Sequence, residues 1–262
     1  MNWIEALILG IVQGLTEFLP VSSSGHLEIG SILLRVDANG NLLFAIVVHL
    51  ATALATMLVF RTYIVKLVLD ILKFQPNEST RFILLLLVSM LPVSIAGLFF
   101  KDWIEAFFRG DLLLVGSALL ITGGLLLFAH YKKNGVKSVG LFSALIIGMA
   151  QSVAVLPGIS RSGATISTAL ILGVERDKAA KFSFLMVILP IFGASLLQLK
   201  YYVEDPSIHQ IGAFPLIIGF LAAFISGFLA CKWMIKIIER EKLTHFAIYC
   251  FIVGLIAIIS GL

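Results

Sequence analysis

The sequence predicts an all-α polytopic membrane protein with six transmembrane helices and two re-entrant helix–loop–helix hairpins in inverted-topology repeats. Three observations predict this fold class: a hydrophobic content of 60%, apolar segments of about 17 to 22 residues, and an internal repeat. Soluble domains are roughly 45 to 50% apolar, and segments of this length can cross a hydrocarbon core of about 30 Å as helices. The alternating pattern of a membrane β-barrel does not occur, so we expect helices.

Six stretches have the length and composition of full spans. They are residues 42–60, 82–100, 112–129, 182–199, 214–233 and 246–262. Two other stretches, 3–34 and 139–173, are pairs of short apolar pieces interrupted by proline and glycine, which stop helices. Because each piece is too short to cross alone, we expect both pairs to be hairpins that enter and leave the membrane on one side.

The two hairpins share an internal repeat. A shift of 138 positions places Gly10, Gln13, Ser22, Ser24 and Gly25 on Gly148, Gln151, Ser160, Ser162 and Gly163. A repeat whose shared positions are polar or helix-breaking is typical of a site between the two halves of a membrane protein. We expect one membrane domain, 1–262, with repeat one at about 1–130 and repeat two at about 139–262.

The basic residues predict an orientation. If both hairpins are re-entrant, fourteen of the 19 Lys and Arg residues fall on one side of the membrane. The segments that hold them are 61–81, 130–138, 174–181 and 232–245. Since Lys and Arg accumulate in cytoplasmic loops, the first hairpin should enter from outside and the second from the cytoplasm. The net charge of +4 does not indicate nucleic-acid binding, because the basic residues stand at segment ends.

Arg161 is the only Lys or Arg residue inside the two hairpins, and Glu17 is a carboxylate three residues before Pro20 in the first. Gln13 and Glu17 are four residues apart, which places both on one helical face. A carboxylate at membrane depth is costly, so it should face a cavity or a partner. Arg161 is the natural partner, and its planar guanidinium also suits a phosphate group. The alternative interpretation is an ion pair that only locks the hairpins together.

Small polar residues stand where the second helix of each hairpin begins. They are Ser22, Ser23, Ser24 and Gly25 in the first hairpin, and Ser160, Ser162, Gly163 and Thr165 in the second. Helix capping is the simpler interpretation, but two helix N-termini at one point also form an anion site. Ser23 is the candidate nucleophile and His26 the candidate acid or base. Attack by water or by His26 itself stays open, and Gln13 and Gln151 are supporting residues.

The two motifs resemble those of a known family, and the resemblance runs along the whole chain. They are Gln13-x-x-x-Glu17 followed by Phe-Leu-Pro-Val-Ser-Ser-Ser-Gly-His26, and Pro157-Gly-Ile-Ser160-Arg161-Ser162-Gly-Ala-Thr165. They are similar to the signatures of the bacterial undecaprenyl-diphosphate phosphatases of the bacitracin-resistance type. The resemblance implies a multi-pass enzyme of the bacterial inner membrane, often a homodimer. It would hydrolyse undecaprenyl diphosphate to the monophosphate and inorganic phosphate, which recycles the lipid carrier for cell-wall synthesis.

The resemblance also implies a divalent cation, Mg²⁺ or Ca²⁺, and the residues of the two motifs predict the roles in such a site. Glu17, Ser23, His26 and Arg161 would be catalytic, Glu17 would also bind the metal, and the hairpin serines, glycines and Thr165 would bind phosphate. The family often has Glu at the position of Gln13. Because this chain has an amide there, Glu17 is the sole carboxylate of the first motif. The site is expected to open toward the periplasmic or extracellular side.

A lipid-phosphate transporter or flippase is the rival interpretation. Inverted repeats with broken helices that meet near the midplane are typical of transporters. The set of Glu17, Ser23, His26 and Arg161 favours the hydrolase, because substrate binding alone does not require these residues.

Overall fold

The protein is helical throughout the part of the chain that can be described. The computed structural model describes residues 1–36, 38–100, 103, 107, 111–132, 135–204, 211–240 and 242–261. The first half contains α1 (Trp3–Phe18), α2 (Ser23–Leu34), α3 (Ala38–Val59), α4 (Arg61–Ile71), α5 (Glu78–Phe99) and α6 (Leu112–His130). The second half contains α7 (Leu141–Val153), α8 (Arg161–Ile171), α9 (Arg176–Met186), α10 (Ile188–Glu204), α11 (Ala213–Glu239) and α12 (Thr244–Gly261).

The apolar helices agree with the six predicted spans. Among the described residues, α5, α6, α11 and α12 are each long and apolar enough to cross a membrane, as is the run Arg176–Leu196 formed by α9 and the start of α10. The sixth candidate is α3 together with α4, which are bent by 76° at their junction. Three basic residues used in the orientation argument, Lys101, Arg109 and Lys133, lie outside the described residues.

Two boundaries differ from the sequence prediction. The segment 61–81, expected to be a loop, contains the helix α4. The span expected to begin at 182 begins at Arg176 as α9. Hydropathy marks only the apolar part of a helix, and the charged first turn of α9 continues into Ala179 and Ala180, which are buried in the core. Burial of these small residues extends the helix beyond its apolar run.

Each predicted hairpin is a pair of short helices packed against each other, α1 with α2 and α7 with α8. Lys137, before α7, forms a parallel β-bridge with Val174, after α8. Its N–H donates to the carbonyl of Gly173 at 3.2 Å, and its own carbonyl accepts from Glu175 N at 3.0 Å. The two ends of the second pair therefore lie side by side, as a re-entrant hairpin requires; its position in the membrane stays a prediction.

The two halves pack against each other reciprocally. The helix α1 of the first half packs on α11 of the second, and α7 of the second half packs on α5 of the first. The last helices of the halves, α6 and α12, pair with each other. At their contact, Gly116 and Gly254 approach so closely that a Cβ on Gly116 would lie 2.6 Å from the carbonyl oxygen of Gly254. These glycines are separated by the repeat interval of 138 residues.

Aromatic packing fixes the end of α1. Phe18, which follows Glu17, contacts Phe184 of α9 edge to face at 5.8 Å between ring centroids. Phe184 in turn lies 6.4 Å from the ring of Phe60, between α3 and α4. These rings belong to the main hydrophobic core, which joins both halves. The backbone that carries Glu17 is therefore held by packed side chains from three parts of the chain.

Candidate active site

The first hairpin turns sharply between α1 and α2. Ser22 is the N-cap of α2 and has a φ of 70°, which is uncommon for a residue other than glycine. Its hydroxyl oxygen accepts a hydrogen bond from Gly25 N at 3.3 Å and lies 3.4 Å from the hydroxyl of Ser24. Capping by Ser22, predicted from the sequence, is confirmed.

The second hairpin repeats this arrangement. Ser160 is the N-cap of α8, and its hydroxyl oxygen accepts from Gly163 N at 3.0 Å. The hydroxyls of Ser160 and Ser162 are 3.3 Å apart. Gly158 has a φ of 90°, a backbone conformation that glycine adopts without strain. The matched positions of the sequence repeat thus make matched hydrogen bonds.

The two turns meet. The hydroxyl of Ser162 donates to the carbonyl oxygen of Leu19, across the hairpins, at 3.1 Å. A Cβ on Gly25 would lie only 3.2 Å from the Cα of Gly158, so the first turn of α2 lies against the second loop. The starts of α2 and α8 are therefore brought to one junction, where the first backbone N–H groups of a helix lack intrahelical partners.

Glu17 is at the centre of this junction and is 6% exposed. Arg161 Nη2 forms a salt bridge with its Oε1 atom. The other oxygen, Oε2, accepts hydrogen bonds from Ser23 Oγ at 2.5 Å and from Gln13 Nε2 at 2.9 Å. Of the residues predicted to act together, Gln13, Glu17, Ser23 and Arg161 are in direct contact.

Two polar atoms at the junction have no hydrogen-bond partner among the described residues. They are Arg161 Nη1, a donor, and Gln13 Oε1, an acceptor, and both are buried. Burying such groups without a partner is costly. The donor of Arg161 fits an anion, and the amide oxygen of Gln13 fits a water molecule or a cation.

His26 does not contact Ser23 in this arrangement. Its Nδ1 atom is 2.8 Å from the carbonyl oxygen of Ser22, and its Nε2 atom is 2.7 Å from the hydroxyl of Tyr249 in α12. The expected pairing of Ser23 with His26 as its base is replaced by the pairing of Ser23 with Glu17. The turn at Ser22 directs the Ser23 side chain back toward α1, which the spacing of three residues could not predict.

Thr165 and Gln151 make no hydrogen bond to the Glu17 carboxylate in the described part of the chain. The Thr165 hydroxyl donates to the carbonyl oxygen of Arg161 at 2.8 Å and is hydrogen-bonded to the hydroxyl of Ser183. It therefore supports the backbone of Arg161. Gln151 is 2% exposed, and neither atom of its amide group has a partner among the described residues. The phosphate-binding role of Thr165 and the supporting role of Gln151 stay predictions.

A pocket adjoins the ion pair. Besides Glu17 and Arg161, it is lined by the hydroxyl residues Thr52, Thr56, Ser162 and Ser183 and by Phe18, Ala53, Phe184, Val187 and Ile191. It therefore has a charged end and an apolar wall, and the apolar residues come from α1, α3, α9 and α10 together with Val187 between the last two helices.

Sequence reasoning missed five residues at or near the junction: Thr52, Thr56, Thr122, Ser183 and Tyr249. Thr122 of α6 positions the second loop, since its Oγ1 accepts from Ser160 N at 3.0 Å. Thr52 and Thr56 are four residues apart in a predicted span, and Ser183 interrupts an apolar run, so polar residues in spans were the available signal. Tyr249 carried no sequence signal.

The described residues do not form a protein cage for a metal. No three His, Cys, Asp or Glu side chains come together in the described part of the chain. The carboxylate of Glu17 and the unpartnered oxygen of Gln13 are nevertheless the hard oxygen ligands that Mg²⁺ and Ca²⁺ take. Mg²⁺ keeps several waters and binds through one or two carboxylates and substrate phosphates. The residues fit a hydrated cation that arrives with a phosphate substrate.

The fold and the junction define a class: a multi-pass helical membrane protein with a charged site where two short helix pairs meet. Comparison with known sequences supplies the family. The model of the family described as bacitracin resistance protein BacA matches residues 6–256. The chain belongs to this family.

Curated relatives match along nearly their whole length. A protein of Bacteroides thetaiotaomicron is 51% identical over 264 residues, covering 100% of both chains. One from Parabacteroides distasonis is 52% identical over 260 residues, with 98% of each chain covered. A more distant one from Carboxydothermus hydrogenoformans is 43% identical over 258 residues, covering 97% of this chain and 95% of its own. All three are named undecaprenyl-diphosphatase.

Proposed function

We propose that the protein hydrolyses undecaprenyl diphosphate to undecaprenyl phosphate and inorganic phosphate in the bacterial inner membrane. The observation that carries the proposal is the Glu17 carboxylate, held by Ser23 of its own hairpin and Arg161 of the other. The relatives' names support the hydrolase and not the rival lipid-phosphate transporter. The reaction returns the lipid carrier to cell-wall synthesis and gives resistance to bacitracin, as the family description indicates.

The diphosphate binds at the junction, with the isoprenoid tail among the spans. Arg161 Nη1 is free to donate to a phosphate oxygen, and the starts of α2 and α8 add backbone N–H groups and partial positive charge. The serines and glycines of both turns allow the phosphates to approach the backbone. The apolar wall that Phe18, Phe184 and Ile191 form beside the ion pair supports a lipid tail on that side.

Ser23 is the nucleophile in the mechanism that we favour. Its hydroxyl donates to Glu17 at 2.5 Å, so Glu17 is placed to take the proton as the oxygen attacks the terminal phosphorus. The bond from phosphorus to the bridging oxygen breaks, undecaprenyl phosphate leaves, and water then releases phosphate from Ser23. Attack by water in place of Ser23 uses the same base.

Arg161 couples substrate binding to the basicity of Glu17. In the free protein, the guanidinium neutralises the carboxylate. A diphosphate competes for the guanidinium, because planar donor pairs bind phosphate oxygens well. As Arg161 turns to the substrate, Glu17 loses its counter-ion and becomes a stronger base. Arg161 then stabilises the charge that develops on the phosphoryl oxygens.

A divalent cation, Mg²⁺ or Ca²⁺, would contact Glu17 and the amide oxygen of Gln13, and when bound it would neutralise phosphate charge. The distribution of basic residues supports a site that opens toward the periplasmic or extracellular side. The proposed partners are membrane lipids and the polyprenyl diphosphate, without nucleic acid. The family resemblance also implies a homodimer.

The test is a phosphate-release assay with the purified protein in detergent. Undecaprenyl diphosphate with Mg²⁺ or Ca²⁺ should give inorganic phosphate and undecaprenyl phosphate in equal amounts. Undecaprenyl phosphate alone is the control and should give none, because it has no anhydride bond. Movement of labelled lipid across vesicles without phosphate release would support the transporter and contradict the proposal.

A further inference from the structure

Tyr249 is the one residue of α12 that hydrogen-bonds to a candidate catalytic side chain among the described residues. Its hydroxyl lies 2.7 Å from Nε2 of His26, and the two rings stack with an interplanar angle of 16° and a centroid distance of 5.6 Å. Tyr249 belongs to the second half, whereas His26 belongs to the first hairpin. The contact therefore joins the first hairpin to the last helix of the second half.

The hydrogen bonds of His26 define its tautomer. Nδ1 lies 2.8 Å from the carbonyl oxygen of Ser22, which can only accept, so Nδ1 must carry a proton. A neutral imidazole then has a lone pair on Nε2 and no proton there. The Tyr249 hydroxyl must therefore be the donor to Nε2.

The backbone at Ser22 keeps its carbonyl in place. Ser22 has a φ of 70° and a ψ of 98°, and its carbonyl oxygen also accepts from the backbone N–H of His26 at 3.1 Å. The ring is thus held at one nitrogen by its own turn and at the other by α12. The repeat equivalent of His26 is Ala164, so the second hairpin has no side chain of this kind.

We propose that Tyr249 is a positioning residue for His26: its hydroxyl donates to Nε2 and holds the ring in the tautomer protonated at Nδ1, with Nε2 as the unprotonated nitrogen. The inference rests on the proposed hydrolysis, with His26 kept as the candidate acid or base predicted from the sequence and Glu17 as the base for Ser23. Tyr249 touches neither the diphosphate nor the reacting atoms in this account. Its effect on the reaction passes through the orientation and tautomer of His26.

The first test is ¹⁵N NMR of the purified protein labelled at its histidine rings, at about pH 8.5, where a reference imidazole is neutral. The chain has five histidines, and the His26 signals are those absent from His26→Gln. The parent should show His26 protonated at Nδ1. In Tyr249→Phe, which keeps the ring, the Nε2 signal should move to the position of a lone pair without a hydrogen bond.

The second test is kinetic. Tyr249→Phe should lower kcat for phosphate release by roughly three- to tenfold, the effect of one lost hydrogen bond, and leave KM within about twofold. Tyr131→Phe, at the exposed end of α6, is the matched control and should behave as the parent. A merely structural contact would change folding or KM and leave kcat of the folded protein unchanged.

The outcomes separate this inference from the proposed function. A parent His26 that is protonated at Nε2, or a Tyr249→Phe protein with an unchanged Nε2 signal, would overturn the positioning role. The parent spectrum needs no substrate and only His26→Gln for its assignment, so it decides the tautomer even if Tyr249→Phe does not fold. If the parent releases no phosphate, the hydrolysis is wrong whatever the tautomer; if it does and Tyr249→Phe matches it in both readouts, only the positioning role is wrong.

Discussion

The two repeats bring different chemical groups to the Glu17 carboxylate. Its two oxygens are held by Ser23 and Arg161, which are separated by the repeat interval of 138 residues. The caps of the two turns make the same hydrogen bond, although φ is 70° at Ser22 and −70° at Ser160. One turn thus supplies a neutral hydroxyl and the other a cation at equivalent positions. A nucleophile and a charge-stabilising group are what phosphoryl transfer requires.

The roles of Glu17 and Gln13 are separable by substitution. Glu17→Gln keeps the shape of the side chain but removes the base and the partner of Arg161, so phosphate release should fall roughly 10²-fold or more. Gln13→Glu should remain active and need less Mg²⁺ or Ca²⁺, because a second carboxylate raises cation affinity. The measurement is phosphate release against cation concentration, with folding checked by gel filtration and circular dichroism.

An active Glu17→Gln protein with an unchanged cation curve would contradict both roles of Glu17. The chemistry would then have to rest on His26 and Arg161. A Gln13→Glu protein whose cation curve equals that of the parent would remove Gln13 from the cation site and leave the role of Glu17 as a base intact.

At the level of elements, close helix contacts hold the halves together. The pair α6 and α12 meets at Gly116 and Gly254, where a Cβ on Gly254 would lie 2.8 Å from the carbonyl oxygen of Gly116. In contrast, a Cβ on Gly124 of α6 would meet nothing within 4 Å. Small residues at such contacts let membrane helices approach closely and gain van der Waals packing.

Gly116→Ala should therefore destabilise the protein by about 1 to 3 kcal/mol, the usual result of overpacking. Gly124→Ala on the same helix is the matched control and should be neutral or stabilising by up to about 1 kcal/mol, because alanine is the better helix former. Thermal unfolding in detergent measures both. Equal melting temperatures for the two variants would mean that α6 and α12 do not approach as described.

The sequence was informative about elements wherever a local rule applies. The caps Ser22 and Ser160 and the breaks at Pro20 and Pro157 depend on neighbouring residues only, so both helix pairs could be predicted. The start of α9 could not, since packing of its alanines extends it beyond the apolar run. The positions of α4 and Tyr249 depend on contacts between distant segments, which periodicity does not contain.

The same limit explains which contacts of the site could be predicted from the sequence. A single Lys or Arg residue inside the two hairpins and a carboxylate three residues before Pro20 made the Glu17–Arg161 pair predictable, and the structure confirms their contact. Ser23 was expected to pair with His26 because they are three residues apart. The actual partner of Ser23 depends on the φ of Ser22, and that of His26 depends on α12. Neither follows from residue spacing.

On the scale of the whole molecule, the two hairpins pack on helices of the opposite half, α1 on α11 and α7 on α5. Removing either hairpin would therefore expose surface of the other repeat. Because each hairpin packs on the opposite half, both halves are needed to form the site. This packing also means that the orientation of one hairpin in the membrane determines the orientation of the other.

The orientation is testable by cysteine labelling of spheroplasts. Ala213→Cys, at the exposed start of α11, should react with an impermeant maleimide, whereas Val136→Cys, in the basic segment before α7, should react only after permeabilisation. The parent is the control, since Cys231 and Cys250 are 0% exposed. The opposite pattern of labelling would place the site on the cytoplasmic side.

The central claim is that both hairpins form one hydrolytic site, and phosphate release by Arg161→Lys tests it most directly. Lysine keeps the charge but not the planar pair of donors, so kcat should fall roughly 10²-fold while the protein still folds and inserts. Arg240→Lys, at the end of α11, is the matched control and should keep the parent rate. Activity of Arg161→Lys within about threefold of the parent would show that Arg161 is only a structural counter-ion of Glu17, and that the second hairpin takes no part in the chemistry.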